Sequence, residues 1–381
     1  MKNKHLEKFN EVAKSLNNTF IEEWKKKGGK VVGYSCTFLP HEVLHAAGLL
    51  PVRLRGIGTT SLSIGDTYFG PVNCSVPKCF IQVAGQGDYK FLDGAVVGNG
   101  CDSMRRLYDT WRKANEDFPG VLPRFFEYVP VPHRANDYSI DFYAEEMKDF
   151  IKKLEAHFGV KVTEQKLRDS IKVYNESRLL LQKLEALRSS KEIPISGADA
   201  MAVLIAGKVI PPEQYNTMLK ELIADLEKAP SVSDGQKRIM LVGSANDDVD
   251  FIHLIEENGA IVVADTVCYG SRSFSELVDE KGDPVHALAS TYLKNNICPR
   301  MYGIYKDRFA YISKLAEKTS VQGVILQNVR FCDLHGSENS VIERDLEAKG
   351  IPCMKLEREY GPLMETGRIR LRVDALLERI E

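Results

Sequence analysis

The sequence predicts an α/β protein in which two doubly wound parallel sheets face each other across a cleft, with a helical insertion between them. Three observations lead to this architecture. Strand and helix patterns alternate over residues 1–142, the pattern becomes helical over 143–230, and the alternation returns over 231–381. Strands that alternate with helices favour parallel βαβ units. A chain of 381 residues is also long enough for two cores.

The first unit contains four short strand candidates separated by helical patterns. The strand candidates are residues 31–35, 52–56, 92–98 and 125–131. The helical patterns between them are PHEVLHAAGLL, the segment after Pro77 and CDSMRRLYDTWRKANEDF. The opening thirty residues, MKNKHLEKFNEVAKSLNNTFIEEWKKKGGK, are interpreted as one charged amphipathic helix.

The middle segment repeats apolar residues every three or four positions, which predicts long helices. Gly159 is expected to end the first of them, and Thr163 to cap the second. A further helix, PPEQYNTMLKELIADLEKA, opens with proline. After the linker APSVSDGQ, the strand candidates are KRIMLVGS, AIVVADTV, VQGVILQ and IPCMKLE.

Charge and hydropathy exclude several classes of partner. Lys and Arg number 51 against 53 Asp and Glu, so no strong field favours nucleic acid or an acidic membrane. The opening segment lacks a signal-peptide core, and the run ISGADAMAVLIAGKVI is too short to span a bilayer. We therefore expect a cytoplasmic protein, whose thiols are more often metal ligands than disulfides.

Eight cysteines carry the strongest functional signal because of where they fall. Four of them follow strand candidates and precede helical patterns: Cys36, Cys101, Cys268 and Cys332. The carboxyl ends of strands in an open parallel sheet are where ligands bind. Three more, Cys74, Cys79 and Cys298, lie in loops or at helix starts. Seven soft ligands are therefore expected to converge on one cleft, a layout typical of an iron–sulfur protein.

The remaining cysteine and the missing motifs narrow this interpretation. Cys353 sits inside the strand IPCMKLE and is interpreted as a core residue. No CxxC pair occurs, which disfavours a zinc ribbon and a bacterial ferredoxin, and zinc at a four-thiol site is the alternative. No GxxxxGK[ST] occurs, and no GxGxxG follows a strand, so we expect no nucleotide to bind this chain. Any ATP must be used by a partner.

Six segments form an ordered set of motifs: GYSCTFLPHEVLHAAGLLPVRLRG, NCSVPKC, GNGCDSMRRLYD, DTVCYGSR, NNICPRMYGIYKDRF and FCDLHGSENSVIERDLEAKGIPCMKLE. Together they resemble the 2-hydroxyacyl-CoA dehydratase and benzoyl-CoA reductase family over essentially the whole chain. The resemblance implies two flavodoxin-like domains, a dimer, and a [4Fe–4S] cluster held by Cys74, Cys101 and Cys332. It also implies that electrons come from a separate iron–sulfur ATPase, the activator.

One departure from the dehydratases points to a particular branch of that family. Cys79 follows Cys74 by five residues, where the dehydratases usually lack a second cysteine. The chain most resembles the double-cubane cluster proteins, whose [8Fe–9S] cluster takes six cysteine ligands. That resemblance implies reduction of small unsaturated molecules such as acetylene, azide and hydrazine. It adds Cys79 to the ligands, and one of Cys36, Cys268 and Cys298 is expected to be surplus.

Other polar residues lie near the expected site. His41 and Glu42 are candidate proton donors, although Glu42 also suits a helix-capping role. Lys78, Arg272 and His335 adjoin cysteines and are candidates for tuning an anionic cluster, against an ordinary surface or ion-pair role. The pair Arg105–Arg106 is a weak candidate for docking an acidic partner.

Three functions remain open from the sequence. The first is an activator-dependent, homodimeric reductase with a double cubane. The second is a subunit of a heterodimeric 2-hydroxyacyl-CoA dehydratase or a benzoyl-CoA reductase with one [4Fe–4S] cluster. The third is an iron–sulfur electron carrier or store without catalytic activity.

Overall fold

Two parallel four-stranded sheets form the framework of the computed structural model, which describes residues 3–361, 363 and 365–380. The first sheet contains β1 (Val31–Tyr34), β2 (Leu50–Arg53), β3 (Gly94–Gly98) and β4 (Phe125–Val129). The second contains β5 (Lys237–Gly243), β6 (Ala260–Thr266), β7 (Gly323–Val329) and β8 (Cys353–Arg358). Their orders, β2-β1-β3-β4 and β6-β5-β7-β8, are equivalent and match the flavodoxin-like arrangement. The predicted fold class is confirmed.

Helices flank both sheets and fill the segment between them. The first unit contains α1 (Lys4–Ala13), α2 (Thr19–Lys26), α3 (His41–Ala46), α4 (Gly65–Tyr68), α5 (Ser75–Gln86) and α6 (Asp102–Asp117). The middle segment contains α7 (Asp137–Phe158), α8 (Glu164–Arg188), α9 (Gly197–Ala206) and α10 (Pro212–Leu226). The second unit contains α11 (Val249–Glu257), a 3₁₀ turn (Ser271–Ser273), α12 (Pro284–Lys294), α13 (Tyr305–Lys318), α14 (Asp333–Glu347) and α15 (Thr366–Leu377). None of the helices in the described part of the chain is long and apolar enough to cross a membrane.

The prediction of a single N-terminal helix is wrong. The chain forms α1 and α2 instead, because Asn18 caps a second helix: its side-chain oxygen accepts from the amides of Phe20 and Ile21 at 3.0 and 3.2 Å. Asparagine is among the strongest N-cap residues. Helix α9 was not predicted either, and it begins after Ser196, whose hydroxyl accepts from the amide of Asp199 at 3.0 Å.

The other helix ends follow the predicted signals. Gly159 ends α7 with a positive φ of 66°, a conformation that glycine adopts without strain. Thr163 caps α8 by accepting from the amide of Lys166 at 3.3 Å. Strand β2 is shifted from its predicted position and occupies Leu50–Arg53, where it pairs with β1.

The middle helices pack on both units. Helix α8 contacts α3 of the first unit as well as α12 and β6 of the second, and α9 contacts both α1 and α11. A buried ion pair between Arg188 of α8 and Asp265 of β6, 2.9 Å apart, ties this segment to the second sheet. The division at 142/143 and 230/231 stays a proposal.

Each sheet has a serine at the point where its strand order reverses, and the two serines make equivalent hydrogen bonds. The hydroxyl of Ser35, just after β1, accepts from the amide of Gly98 in β3 at 3.1 Å. The hydroxyl of Ser244, just after β5, accepts from the amide of Val329 in β7 at 2.8 Å. Ligands of doubly wound sheets bind in the crevice at such reversal points.

Candidate metal centre

A cavity of about 100 Å³ lies where the reversal points of the two sheets face each other. Ser35 and Ser244 both line it, so both crevices open into this one cavity. Six cysteines contribute to its walls: Cys36, Cys74, Cys101, Cys268, Cys298 and Cys332. The fold therefore brings together six of the seven thiols that the sequence singled out.

Three of these cysteines occupy the N-cap positions of helices. They are Cys74 before α5, Cys101 before α6 and Cys332 before α14. Burial raises the pKa of each thiol, in Cys332 to about 12. The backbone amides at the starts of these helices, Val76 near Cys74, Met104 near Cys101 and His335 near Cys332, oppose this rise in pKa. Helix N-termini favour thiolates and other anions.

The other three cysteines lie in loops, close to arginines. Cys36 follows β1, Cys268 follows β6, and Cys298 lies between α12 and α13. Burial raises the pKa of the Cys298 thiol to about 11, while the positive charge of Arg272 opposes the rise. Arg272 also donates from Nη2 to the sulfur of Cys268 at 3.1 Å. The six thiols thus fall into a helix-terminal trio and a loop trio.

Nitrogen donors without acceptors surround the same cavity. Arg53, Arg300 and His335 line it, and each has a buried ring or guanidinium nitrogen that meets no acceptor among the described residues. The Nε of Arg272 is likewise without one in this part of the chain. Burial, together with the positive charges of Arg272 and Arg308, lowers the pKa of His335 well below its usual value. Unsatisfied buried donors are costly, so thiols and orphaned donors together fit an anionic metal–sulfur cluster.

The donor set does not fit a single metal ion. Within residues 3–361, 363 and 365–380, no group of three or more His, Cys, Asp or Glu side chains is arranged to hold one. A tetrahedral zinc site needs four ligands about 2.0–2.3 Å from one ion, an arrangement that no set of thiols adopts in the described part of the chain.

Cys79 and Cys353 do not line the cavity. The thiol of Cys79 is fully buried and donates to the carbonyl of Tyr360 at 3.3 Å. Its sulfur packs against Gly361, and burial raises its pKa to about 12. From the sequence, the thiol that is not a cluster ligand was expected to be one of Cys36, Cys268 and Cys298. In the structure, Cys79 is instead the candidate that lies outside the cavity. Cys353 lies in β8, 1% exposed, as expected for a core residue.

Glu42 belongs to a buried ionic network. Its carboxylate accepts from Arg178 at 2.5 Å and from the hydroxyl of Tyr292 at 2.7 Å. Burial alone would raise the pKa of Glu42, but Arg178 and the other partners outweigh it and lower the pKa to about 2. Burial lowers the pKa of His41 to about 4. Both pKa values lie below neutral pH, so these surroundings do not favour the proton-donor roles, which stay predictions.

Three other sequence candidates make ordinary ion pairs. Lys78 binds Asp66 at 2.9 Å and does not line the cavity. Arg105 and Arg106 both pair with the exposed Asp102, at 3.4 and 2.6 Å. Their geometry offers no support for a role at the cluster or in docking.

Sequence reasoning missed Arg53 and Arg300. Arg53 ends β2 and stacks over the rings of Tyr34 and Tyr269, with distances of 5.4 and 5.0 Å from its guanidinium carbon to the ring centres. Arg300 stacks over Phe38 at 4.4 Å and donates to two carbonyls of the 131–132 segment. The available signal was that Arg53 ends a strand in VRLRG and Arg300 follows Cys298 by two residues.

Comparison with known proteins gives the family. The model of the 2-hydroxyglutaryl-CoA dehydratase D-component family matches residues 36–380. The chain belongs to this family. It is 31% identical to a benzoyl-CoA reductase subunit of Thauera aromatica over 326 residues, covering 84% of this chain and 83% of that protein. It is 25% identical to the (R)-phenyllactyl-CoA dehydratase beta subunit of Clostridium sporogenes, covering 92% of each.

A third member of the D-component family, the lactoyl-CoA dehydratase subunit beta of Anaerotignum propionicum, is 23% identical over 94% of each chain. The family resemblance predicted from the motifs is therefore confirmed, as is the prediction of an enzyme component. These relatives are named for reactions on CoA thioesters, and none is named for acetylene-type reduction.

Proposed function

We propose that this chain is the iron–sulfur component of a two-component redox enzyme and that its six cavity thiols hold one double-cubane cluster. One observation carries the proposal: six thiols from both sheets line a single cavity that is also ringed by nitrogen donors without acceptors among the described residues. The number of thiols matches the six ligands of an [8Fe–9S] cluster. The helix-terminal and loop trios supply three ligands for each half.

The bound cluster would supply single electrons at low potential. The chain's own residues prepare the cavity for that charge. Arg272 donates to the Cys268 sulfur, and Arg53, Arg300 and His335 line the cavity, each with a buried side-chain nitrogen that has no hydrogen-bond partner among the described residues. Burial of these groups excludes water and strengthens their electrostatic effect.

We further propose that the electron donor is a separate iron–sulfur ATPase. Membership of a D-component family supports a second component, and the sequence has neither a GxxxxGK[ST] motif nor a GxGxxG after a strand. We also propose that the protein is a homodimer and that its substrates are small unsaturated molecules.

A second candidate function is a subunit of a 2-hydroxyacyl-CoA dehydratase or benzoyl-CoA reductase with one [4Fe–4S] cluster. The relatives' names favour it over the small-molecule reductase, because they are named for CoA thioesters. In this case Cys74, Cys101 and Cys332 would be the ligands and the loop trio would be free thiols. The geometry favours the first candidate because all six thiols share the cavity.

Anaerobic purification followed by iron and sulfide analysis separates the candidates. The double cubane predicts about eight iron atoms per chain, and the second candidate predicts about four. Reduction by an activator and ATP, followed by acetylene turnover, distinguishes an enzyme from an electron carrier. About four iron atoms with turnover of a 2-hydroxyacyl-CoA would overturn the first candidate.

A further inference from the structure

Two exposed apolar side chains stand just before cysteines of the helix-terminal trio. Val72, 69% exposed, lies two residues before Cys74, and Phe331, 43% exposed, lies one residue before Cys332. Neither side chain packs against a hydrophobic core in the described part of the chain. An apolar side chain therefore faces solvent beside each of these two thiols.

Val72 lies at the tip of a β-turn. The amide of Asn73 donates to the carbonyl of Gly70 at 3.1 Å, so Val72 is the third residue of this four-residue turn. Pro71 fills the second position, as is typical of β-turns. Glycine, proline, asparagine, aspartate and serine dominate such turns. Turn geometry therefore gives no reason for an exposed valine at the tip.

The turn at Phe331 has the same form and is strained. The amide of Cys332 donates to the carbonyl of Val329 at 2.9 Å, so Phe331 is the third residue of this turn. Its φ is 61°, in the left-handed region that such turns usually fill with glycine or asparagine. A bulky residue in this conformation costs stability, and strained residues of this kind cluster at functional sites.

The segment that follows β8 joins the two turns. On one side, the amide of Tyr360 donates to the hydroxyl oxygen of Ser75 at 2.8 Å. On the other, the amide of Arg330 donates to the carbonyl of Arg358 at 2.8 Å. Ser75 follows the first turn and Arg330 belongs to the second. The two apolar tips therefore lie on neighbouring loops beside the helix-terminal trio.

The exposed charges around the trio are compensated within this chain. Asp102 binds Arg106 at 2.6 Å, and Arg330 binds Glu359 at 3.7 Å. Asp333 lies in the first turn of α14, where the helix dipole stabilises negative charge. Exposed ion pairs contribute little and are screened by salt. A partner that docks here would therefore be held by the apolar tips more than by charge.

We propose that Val72 and Phe331 form the apolar centre of the surface on which the electron donor, a separate iron–sulfur ATPase, docks. The position decides the occupant, because a partner seated here lies beside the thiols of the proposed cluster. Two apolar anchors also suit the small, transient interfaces of redox partners. One electron passes from the reduced donor to this chain, so the donor is oxidised, this chain is reduced, and no bond is made or broken.

This inference rests on the proposed function, whose partner it places. It also assigns a direction, because electrons enter at the helix-terminal trio and not at the loop trio. The exposed Tyr302, four residues after Cys298, marks the corresponding surface beside the loop trio. Its ring is already stacked under the guanidinium of Arg134, 4.9 Å from the ring centre, so it has a partner within this chain.

Anaerobic surface plasmon resonance and stopped-flow reduction test the surface. The probe is the purified iron–sulfur ATPase that activates a 2-hydroxyacyl-CoA dehydratase, supplied with ATP. Phe331→Asn removes the ring but suits the left-handed backbone, and Val72→Asn removes the other anchor. We expect each change to weaken binding and to slow reduction about tenfold, since apolar contact is lost. Val232→Asn is the matched control, because Val232 is exposed and precedes β5, at the end of the sheet opposite the cavity.

Phe331→Asn also has a readout that needs no partner. Relief of backbone strain should raise its midpoint of urea unfolding, whereas loss of a packed ring would lower it. Iron content should stay the same in both tip variants, since neither Val72 nor Phe331 lines the thiol cavity. A lower midpoint would show that the ring packs within this chain and would overturn its docking role.

The outcomes separate this inference from the proposed function. Reduction of both tip variants at the unsubstituted rate would overturn the surface and leave the two-component proposal intact. Failure of the ATPase to reduce the unsubstituted, iron-loaded protein would instead overturn the proposed donor. A larger effect of Tyr302→Asn would move electron entry to the loop trio and contradict the assignment. Self-association that depends on Phe331, with reduction unaffected, would give the surface to a second copy of this chain and would also overturn it.

Discussion

Arg272 donates a hydrogen bond from Nη2 to the Sγ of Cys268 at 3.1 Å. The same nitrogen donates to the carbonyl of Gly243 at 2.8 Å, so the end of β5 holds the guanidinium in place. Arg272 lies in the 3₁₀ turn that follows β6, four residues beyond the cysteine. On the proposed cluster assignment, a positive donor fixed against the Cys268 sulfur stabilises added negative charge, and this contact would link the second sheet to the reduction potential of the cluster.

Replacing Arg272 by glutamine is expected to lower the reduction potential of the cluster on the order of tens of millivolts, because a charged hydrogen bond to sulfur favours the reduced state. The reduction potential of Arg272→Lys, which keeps the charge, should lie between those of the unsubstituted protein and Arg272→Gln. An EPR-monitored redox titration measures the shift, and the exposed Arg330→Gln is the control. A potential that does not move would show that Arg272 acts only in packing.

Substitution of single cysteines tests the ligand set. Cys101→Ala and Cys298→Ala should each lose much of the bound iron, because their thiols line the cavity. Cys79→Ala should keep its iron, since the Cys79 thiol donates a hydrogen bond to the carbonyl of Tyr360 instead of binding iron. Iron analysis and absorption spectra of anaerobically purified variants measure both effects. Loss of iron from Cys79→Ala would restore this residue to the ligands expected from the sequence.

Glu42→Gln is expected to destabilise the fold by about 3–5 kcal/mol, because it leaves the buried Arg178 without its counter-charge. The pKa of Glu42 is lowered from its ordinary 4.5 to about 2. Its contribution to stability is therefore fully present above pH 4.5 and is lost as the pH falls through about 2. Anaerobic urea unfolding measures the difference, with the exposed Glu164→Gln as control. Equal unfolding midpoints for both variants would contradict the structural role.

Gly100→Ala is expected to disturb the loop trio selectively. A Cβ at this position would lie 2.8 Å from the Cys36 sulfur, so the thiol must rotate away from its place in the cavity. We expect partial loss of iron with the protein still folded. Gly336→Ala is the matched control, because the nearest atom to its new Cβ, Asn328 Nδ2, is 3.9 Å away. Equal iron content in both variants would argue against Cys36 as a ligand.

The fold was largely predictable because its signals are local. Apolar β-branched runs alternate with helical patterns, and caps such as Thr163 and Gly159 mark helix ends directly. The prediction for the N-terminal region was wrong because the amphipathic pattern continues across the break between α1 and α2. Only Asn18 marks the start of the second helix. Helix α9 was missed because it is buried almost throughout and therefore lacks an amphipathic pattern.

The site was predictable only in part because it depends on the direction in which side chains point as well as on where the residues lie in the sequence. A cysteine after a strand is expected at the sheet edge, which placed Cys36, Cys101, Cys268 and Cys332. The sequence does not reveal that the Cys79 side chain turns towards Tyr360. Nor does it reveal that Arg53 and Arg300, far apart in the sequence, line the same cavity.

The most direct test of the account is anomalous diffraction at the iron edge from crystals of the anaerobically purified protein. We predict about eight iron positions in the cavity between the two sheets, with the sulfurs of the helix-terminal and loop trios all within bonding distance of iron. Four iron positions bonded only to Cys74, Cys101 and Cys332, with the loop trio unligated, would contradict the central claim.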